Sequence, residues 1–218
     1  MGHPLLIQRK RVLHMKQRHV LFLIIPIIIF LFLAFMYKTA FIERLDLAIT
    51  LAMMDMRTNG WTSFFIVMTN IGSWTITAPV WFILCALLLM ARKGGAVLFL
   101  TIVFWGSRTL NWLLKEMFGR ARPDIDQLVH AAHFSFPSGH AMNSMAFYGA
   151  LLLLGTLYAS AKPALSRAIA LFLMVLILFI GVSRIYLGVH YFTDILAGYS
   201  AGFVLVYGMY RLFRQKLS

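Results

Sequence analysis

Residues 20–37 read VLFLIIPIIIFLFLAFMY, a run without one charged side chain. About 20 mostly apolar residues cross a bilayer core as a helix, because backbone N–H and C=O groups must be satisfied internally there. Arg9, Lys10, Arg11, Lys16 and Arg18 precede the run. A basic stretch before an apolar one also describes a cleaved signal peptide, but this run exceeds the usual apolar region of a signal and no A-x-A site follows. The reading is an uncleaved anchor. Five further apolar runs follow at about 74–91, 95–116, 139–160, 165–184 and 192–210. Composition agrees: of 218 residues, 61% are hydrophobic and 12% charged, against about 25% charged in a soluble domain. An ordinary soluble globule and a disordered chain are both excluded. The sequence predicts an all-α, six-transmembrane helix bundle.

Between the first two runs the texture changes. Residues 41–56 (FIERLDLAITLAMMDM) set Glu43, Asp46 and Thr50 at helical spacing opposite an apolar face. That pattern fits an extracytoplasmic helix lying in the membrane interface, with a seventh, poor span as the alternative. Residues 61–68 are apolar but too short to cross, and Asn70-Ile71-Gly72-Ser73 interrupts them before the second run. Lys and Arg total 20 against 7 Asp and Glu, a net charge of +13. On a soluble protein that balance would suggest nucleic acid. Here most basic residues lie between apolar runs, where they face anionic headgroups and set topology, so no nucleic-acid partner is expected. Under six spans the N-terminal segment, Arg92, Lys93, Lys162, Arg167, Arg211, Arg214 and Lys216 share one side, which the positive-inside rule makes cytoplasmic. The chain then divides into a basic cytoplasmic segment, 1–19, and a single membrane domain, 20–218, with both termini inside. Cys85 is the only cysteine, so an internal disulfide and a thiolate metal cluster are excluded.

The remaining polar residues fall in groups. Lys115, Arg120 and Arg122 close the third run; Pro137-Ser138-Gly139-His140 opens the fourth; Ser183-Arg184, His190 and Asp194 bridge the fifth and sixth. Parity alone brings all three groups to the extracytoplasmic surface. Lys115, Arg122 and Arg184 offer fixed positive charge, and guanidinium forks match phosphate oxygens. Ser138 reads as a helix N-cap, with free N–H groups beyond it for an anion and Gly139 permitting close approach. His190 and Asp194, four apart, share a helical face. A carboxylate on one imidazole nitrogen leaves the other to attack or shuttle protons. His140 supplies a candidate general acid for a leaving alkoxide. Together they resemble a phosphoryl-transfer site with a histidine nucleophile.

Lys115-x6-Arg122-Pro123, Pro137-Ser138-Gly139-His140 and Ser183-Arg184-x5-His190-x3-Asp194, in this order and spacing, resemble the three-part signature of the type 2 phosphatidic acid phosphatase superfamily. The resemblance covers about residues 70–210. It implies that His190 attacks phosphorus to form a phosphohistidine, that Asp194 orients it, and that His140 protonates the departing oxygen. It further implies that Lys115, Arg122, Ser138, Gly139 and Arg184 hold the phosphate, with no metal and no other cofactor. The implied activity is hydrolysis of a lipid phosphate in the cell membrane: phosphatidylglycerophosphate or phosphatidic acid, alternatively undecaprenyl pyrophosphate. No obligate protein partner is evident. Ala121 and Phe192 stand where many relatives carry proline, which bears on substrate fit rather than catalysis.

Blander readings exist for each residue. Lys115 and Arg122 taken singly would be interfacial snorkellers, and Arg120, outside the motif, reads as a headgroup-contacting charge. His140, His190 and Asp194 would suit a metal, but three neighbouring cations repel one. His130 and His133 read as solvated loop residues. Arg108, inside the third run, reads as a structural group supporting the site through span four near Asn143. Tyr186 and Tyr191 are interface anchors or substrate contacts. A lipid or anion transporter is the nonenzymatic alternative, although transporters place binding groups near the midplane on broken helices.

Overall fold

The computed structural model describes residues 4–158 and 163–217, with side chains from Val20 onward. Lys162 and the side chains of Arg9, Lys10, Arg11, Lys16 and Arg18 lie outside the described residues. Each apolar run becomes a helix, and no strand occurs among the described residues. The helices are α1 (Pro4–Met36), α2 (Ala40–Asp55), α3 (Asn59–Ile71), α4 (Trp74–Met90), α5 (Gly94–Phe118), α6 (Gly139–Tyr158), α7 (Pro163–Tyr186) and α8 (Phe192–Leu217). Helices α5 to α8 are each long and apolar enough to cross a membrane. The remaining candidates are bent pairs: α1 from Val20 turns into α2 through 101°, and α3 meets α4 at 44°. The apolar piece at 61–68 is therefore part of α3, continuous with the second run through the break at Gly72-Ser73, rather than an isolated fragment.

Helix α6 forms the centre, packed by α5, α7 and α8, while α1 lies along α8 and α3 along α7. The main core joins Phe99, Leu100, Val103 and Phe104 of α5 to Ala146, Phe147 and Ala150 of α6 and Ile180 of α7. Lipid tails are as apolar as leucine, so close packing rather than water exclusion holds such helices together. The α6–α8 contact depends on small residues. A Cβ on Gly198 would sit 2.7 Å from the Ser138 carbonyl oxygen and 3.0 Å from Ala141 Cβ; one on Gly202 would sit 3.0 Å from Met145 Cβ. This Gly198-x3-Gly202 face brings the starts of α6 and α8 together, and Ser138 N–H donates to the Asp194 carbonyl at 3.0 Å. Gly198→Val is expected to destabilise the fold by roughly 1–3 kcal/mol through overpacking. Thermal unfolding in detergent checks this; an unchanged midpoint would contradict the packing.

Candidate active site

Four helix ends and two loops meet at one end of the bundle. The C-terminal turn of α5 carries Lys115, and the 119–138 loop carries Arg120, Arg122, Ser135 and Ser138. The first turn of α6 carries His140, the last turn of α7 Arg184, and the 187–191 turn His190; Asp194 sits in the first turn of α8. The long loop is pinned at its middle. Arg57 donates Nε and Nη2 to the Tyr186 carbonyl at 3.0 and 2.9 Å, and Nη1 to Asp126 Oδ2 at 2.9 Å. Gly188, at φ +76°, fits where a side chain would meet Arg57 Nη2 and the Ile125 carbonyl, each 3.1 Å from its Cβ. Tyr186 is buried, with its hydroxyl 3.0 Å from Thr62 Oγ1, so it joins α7 to α3.

His190 and Asp194 form a buried pair, with Nδ1 3.3 Å from Oδ2. Ser135 Oγ donates to the same Oδ2 at 2.5 Å and lies 3.2 Å from Nδ1, and Tyr191 N–H adds a further bond at 2.9 Å. On the other side of the ring, Arg122 Nη1 is 3.1 Å from Nε2. A guanidinium only donates, so Nε2 is the acceptor and the ring proton resides on Nδ1, facing the carboxylate. The unprotonated nitrogen points into the cationic cup. Burial, followed by the charges of Arg122, Arg184 and Lys115, holds the His190 pKa well below the usual imidazole range. Arg184, His190, Arg122 and Lys115 also act electrostatically on His140, whose ring packs near Gly72, a Cβ there lying 3.3 Å from His140 Cδ2.

The cup's cations are held by neutral oxygens. Arg122 donates to the carbonyls of Val189, His133 and Ala132 at 2.7, 2.9 and 2.7 Å. Lys115 Nζ donates to the Phe134 carbonyl, and Arg184 Nη1 to Thr69 Oγ1 at 2.5 Å. Arg184 Nε is buried with no hydrogen-bond partner among the described residues. Nor is any of these three in a salt bridge among them. Their charges are thus available to an anion. Burial lowers the Arg122 pKa, partly offset by Asp194, and still leaves a guanidinium charged at neutral pH. Ser138 caps α6 only loosely, accepting from Ala141 N at 3.5 Å, and Asn111 Nδ2 holds the turn through the Pro137 carbonyl at 3.2 Å.

Three sequence expectations are corrected. Arg120 does not reach headgroups: it is 8% exposed and bridges two fully buried carboxylates, Asp194 Oδ1 and Asp46 Oδ2, each at 2.7 Å. Burial opposes its charge, but Asp194 and Asp46 outweigh that and raise its pKa. Accordingly Asp46 and Thr50 do not form a wet face of α2; both are buried. Arg108 reaches α4 rather than Asn143, donating to Thr77 Oγ1 at 2.9 Å, with its guanidinium 3.6 Å from the Phe104 ring of its own helix. His130 and His133 are exposed in the loop, as expected. Ser135, Thr193 and Asp46 join the site without belonging to any motif. No local signal marked Asp46, whose neighbours at i±4 are one apolar residue, Ile42, and one polar, Thr50.

A family model, the PAP2 superfamily, matches residues 93–218. Phosphatidylglycerophosphatase B of Bacillus subtilis (strain 168) is 34% identical over 200 residues, covering 88% of this chain and 98% of that protein. The crystal structure of a transmembrane PAP2 type phosphatidylglycerolphosphate phosphatase from Bacillus subtilis superposes with a TM-score of 0.83 at 31% identity, over 89% of this chain and 96% of that one. A lipid A 1-phosphatase of Rhizobium etli is 37% identical over 118 residues, half of this chain and 45% of that protein. The chain belongs to the PAP2 superfamily. It is a multi-pass membrane protein.

Arg120→Met leaves two buried carboxylates without their cation, at a cost of about 3–5 kcal/mol. Denaturant unfolding checks this against Arg122→Met, whose neutral partners predict a smaller loss. Equal losses would contradict the pairing.

Proposed function

We propose that the chain is a lipid phosphate phosphatase acting on the phosphomonoester of phosphatidylglycerophosphate or phosphatidic acid. The observation that carries this reading is the imidazole of His190, with Nδ1 toward Asp194 at 3.3 Å and Nε2 toward a guanidinium at 3.1 Å. A phosphoryl oxygen that takes over the Arg122 N–H frees the Nε2 lone pair beside phosphorus. Nε2 then forms the N–P bond as the bond to the lipid oxygen breaks, and His140, protonated once the bound phosphate offsets the surrounding cations, gives its proton to that oxygen. Asp194 stabilises the positive charge gained by the ring. Water attacks the phosphohistidine, His140 takes its proton, and the N–P bond breaks to release phosphate. Lys115, Arg122, Arg184, Ser138 and Gly139 hold the phosphoryl oxygens, where cations in a water-poor site stabilise developing negative charge. The reaction runs without metal: the imidazole nitrogen that would bind one faces a guanidinium, and the surrounding cations repel a second positive charge.

Residues 20–218 form one membrane domain preceded by a basic cytoplasmic segment, 1–19. Six spans, counting α3–α4 as one bent crossing, leave both termini in the cytoplasm and the site at the outer surface. The 101° turn into α2 supports an α2 lying in the interface. The tail of the substrate then stays in the bilayer while its phosphate enters the cup. The fit of the cup to a terminal phosphate also suits undecaprenyl pyrophosphate, the alternative substrate.

A phosphate-release panel on purified protein tests the reading, with phosphatidylglycerophosphate, phosphatidic acid and undecaprenyl pyrophosphate as substrates. Release is expected from at least one, with His190→Ala losing it, a chelator leaving it and vanadate inhibiting. Wild-type release by His190→Ala, or loss in chelator restored by metal, would contradict it. Because the His190 pKa is lowered, the ring stays neutral as pH falls through about 6.5. The acid limb of kcat/KM is therefore expected below that value; a limb at or above it would contradict the environment described.

A further inference from the structure

Asp46 is a buried charge that the proposed reaction does not use. It stands on the buried stripe of α2 with Ile42 and Thr50. Its Oδ1 accepts Thr193 N–H at 3.0 Å, a free N–H group in the first turn of α8, so Asp46 caps that helix from another element. Its Oδ2 accepts Thr193 Oγ1–H at 2.6 Å and Arg120 Nη2 at 2.7 Å. The other arm of the guanidinium, Nη1, reaches Asp194 Oδ1 at 2.7 Å and Thr193 Oγ1 at 2.8 Å. The rings of Tyr191 and Tyr37 flank Arg120 at 4.2 and 5.3 Å.

A free guanidinium beside a carboxylate favours two parallel bonds, one to each oxygen. That geometry would engage Asp194 Oδ2, the oxygen facing His190. Asp46 prevents it by occupying Nη2, so the fork is split between two carboxylates and meets Asp194 through Oδ1 alone. Resting on the phosphatase reading, we infer that Asp46 and Arg120 are positioning residues: Asp46 divides the Arg120 fork so that Asp194 Oδ2 stays on His190 Nδ1. The ring is thereby kept in the tautomer that presents Nε2 to phosphorus. Lys115, Arg122 and Arg184, which also face His190, form no hydrogen bond or ion pair with Asp46 among the described residues, so its loss is expected to leave phosphate binding unchanged.

The test is Asp46→Asn in the full chain, purified in detergent. Asparagine keeps the shape, but its amide has a single acceptor, and Arg120 is released toward both oxygens of Asp194. Expected is a fall in kcat of about tenfold or more, with KM for the lipid phosphate changed less than about twofold. The second readout is nitrogen-15 NMR of the histidine side chains, with His190 assigned by its loss in His190→Ala. Its Nδ1–H tautomer signature should shift or broaden in Asp46→Asn. Should Asp46→Asn fail to fold, Thr193→Val removes the hydroxyl between Arg120 and Asp46 while keeping both charges, and the same changes are expected, smaller in size. Wild-type kcat and an unmoved His190 resonance in a folded variant would overturn the inference. If the wild type releases phosphate from no lipid tested, the phosphatase reading fails, and the NMR comparison still decides the positioning role.

Discussion

Asp194 is a carboxylate with no access to water, and the site is organised around the donors that make it tolerable. A buried charge costs several kcal/mol unless paired and hydrogen-bonded. Arg120 meets one oxygen; Ser135, the Tyr191 backbone and His190 meet the other. Each donor comes from a segment that must be in place first: the pinned 119–138 loop, the turn after α7, and the start of α8. The Gly198–Gly202 face brings that start against α6, and with it the turn carrying Ser138 and His140. The chemistry of one anion thus fixes the meeting of distant chain segments.

Charge is distributed by partner type. The bridging cation, Arg120, is matched with carboxylates and stacked between tyrosines. The cations of the cup, Lys115, Arg122 and Arg184, are fixed by carbonyls and a hydroxyl, which orient them without neutralising them. A site that must attract an anionic phosphate and then release it benefits from this division. Orientation costs no charge, because dipoles supply it.

Much of this was legible in the sequence. Bilayer thickness imposes a run length, so the apolar segments showed themselves, and strict alternation of helix direction brought the three motif groups to one end. The contact of His190 with Asp194 was expected from a shared helical face, but His190 lies in the turn before α8 and meets Asp194 from outside the helix. What escaped was pairing over long separations. Asp46 and Arg120 lie 74 residues apart, and nothing local distinguishes a buried aspartate on α2 from one facing water. Arg120 sits two positions from Arg122, yet one turns inward and the other toward His190; that divergence is set by the loop path, not by composition. Arg108 found Thr77 because α4 and α5, joined by the short turn at 91–93, pack side by side.

The claim on which the account stands is that His190 Nε2 is the nucleophile. Rapid-quench reaction with a lipid phosphate carrying radiolabelled terminal phosphorus, followed by peptide mapping, tests it most directly. The account predicts label on His190, stable to base and lost in acid as a phosphoramidate should be. Label on another residue, or steady turnover with no labelled protein at any quench time, would contradict it.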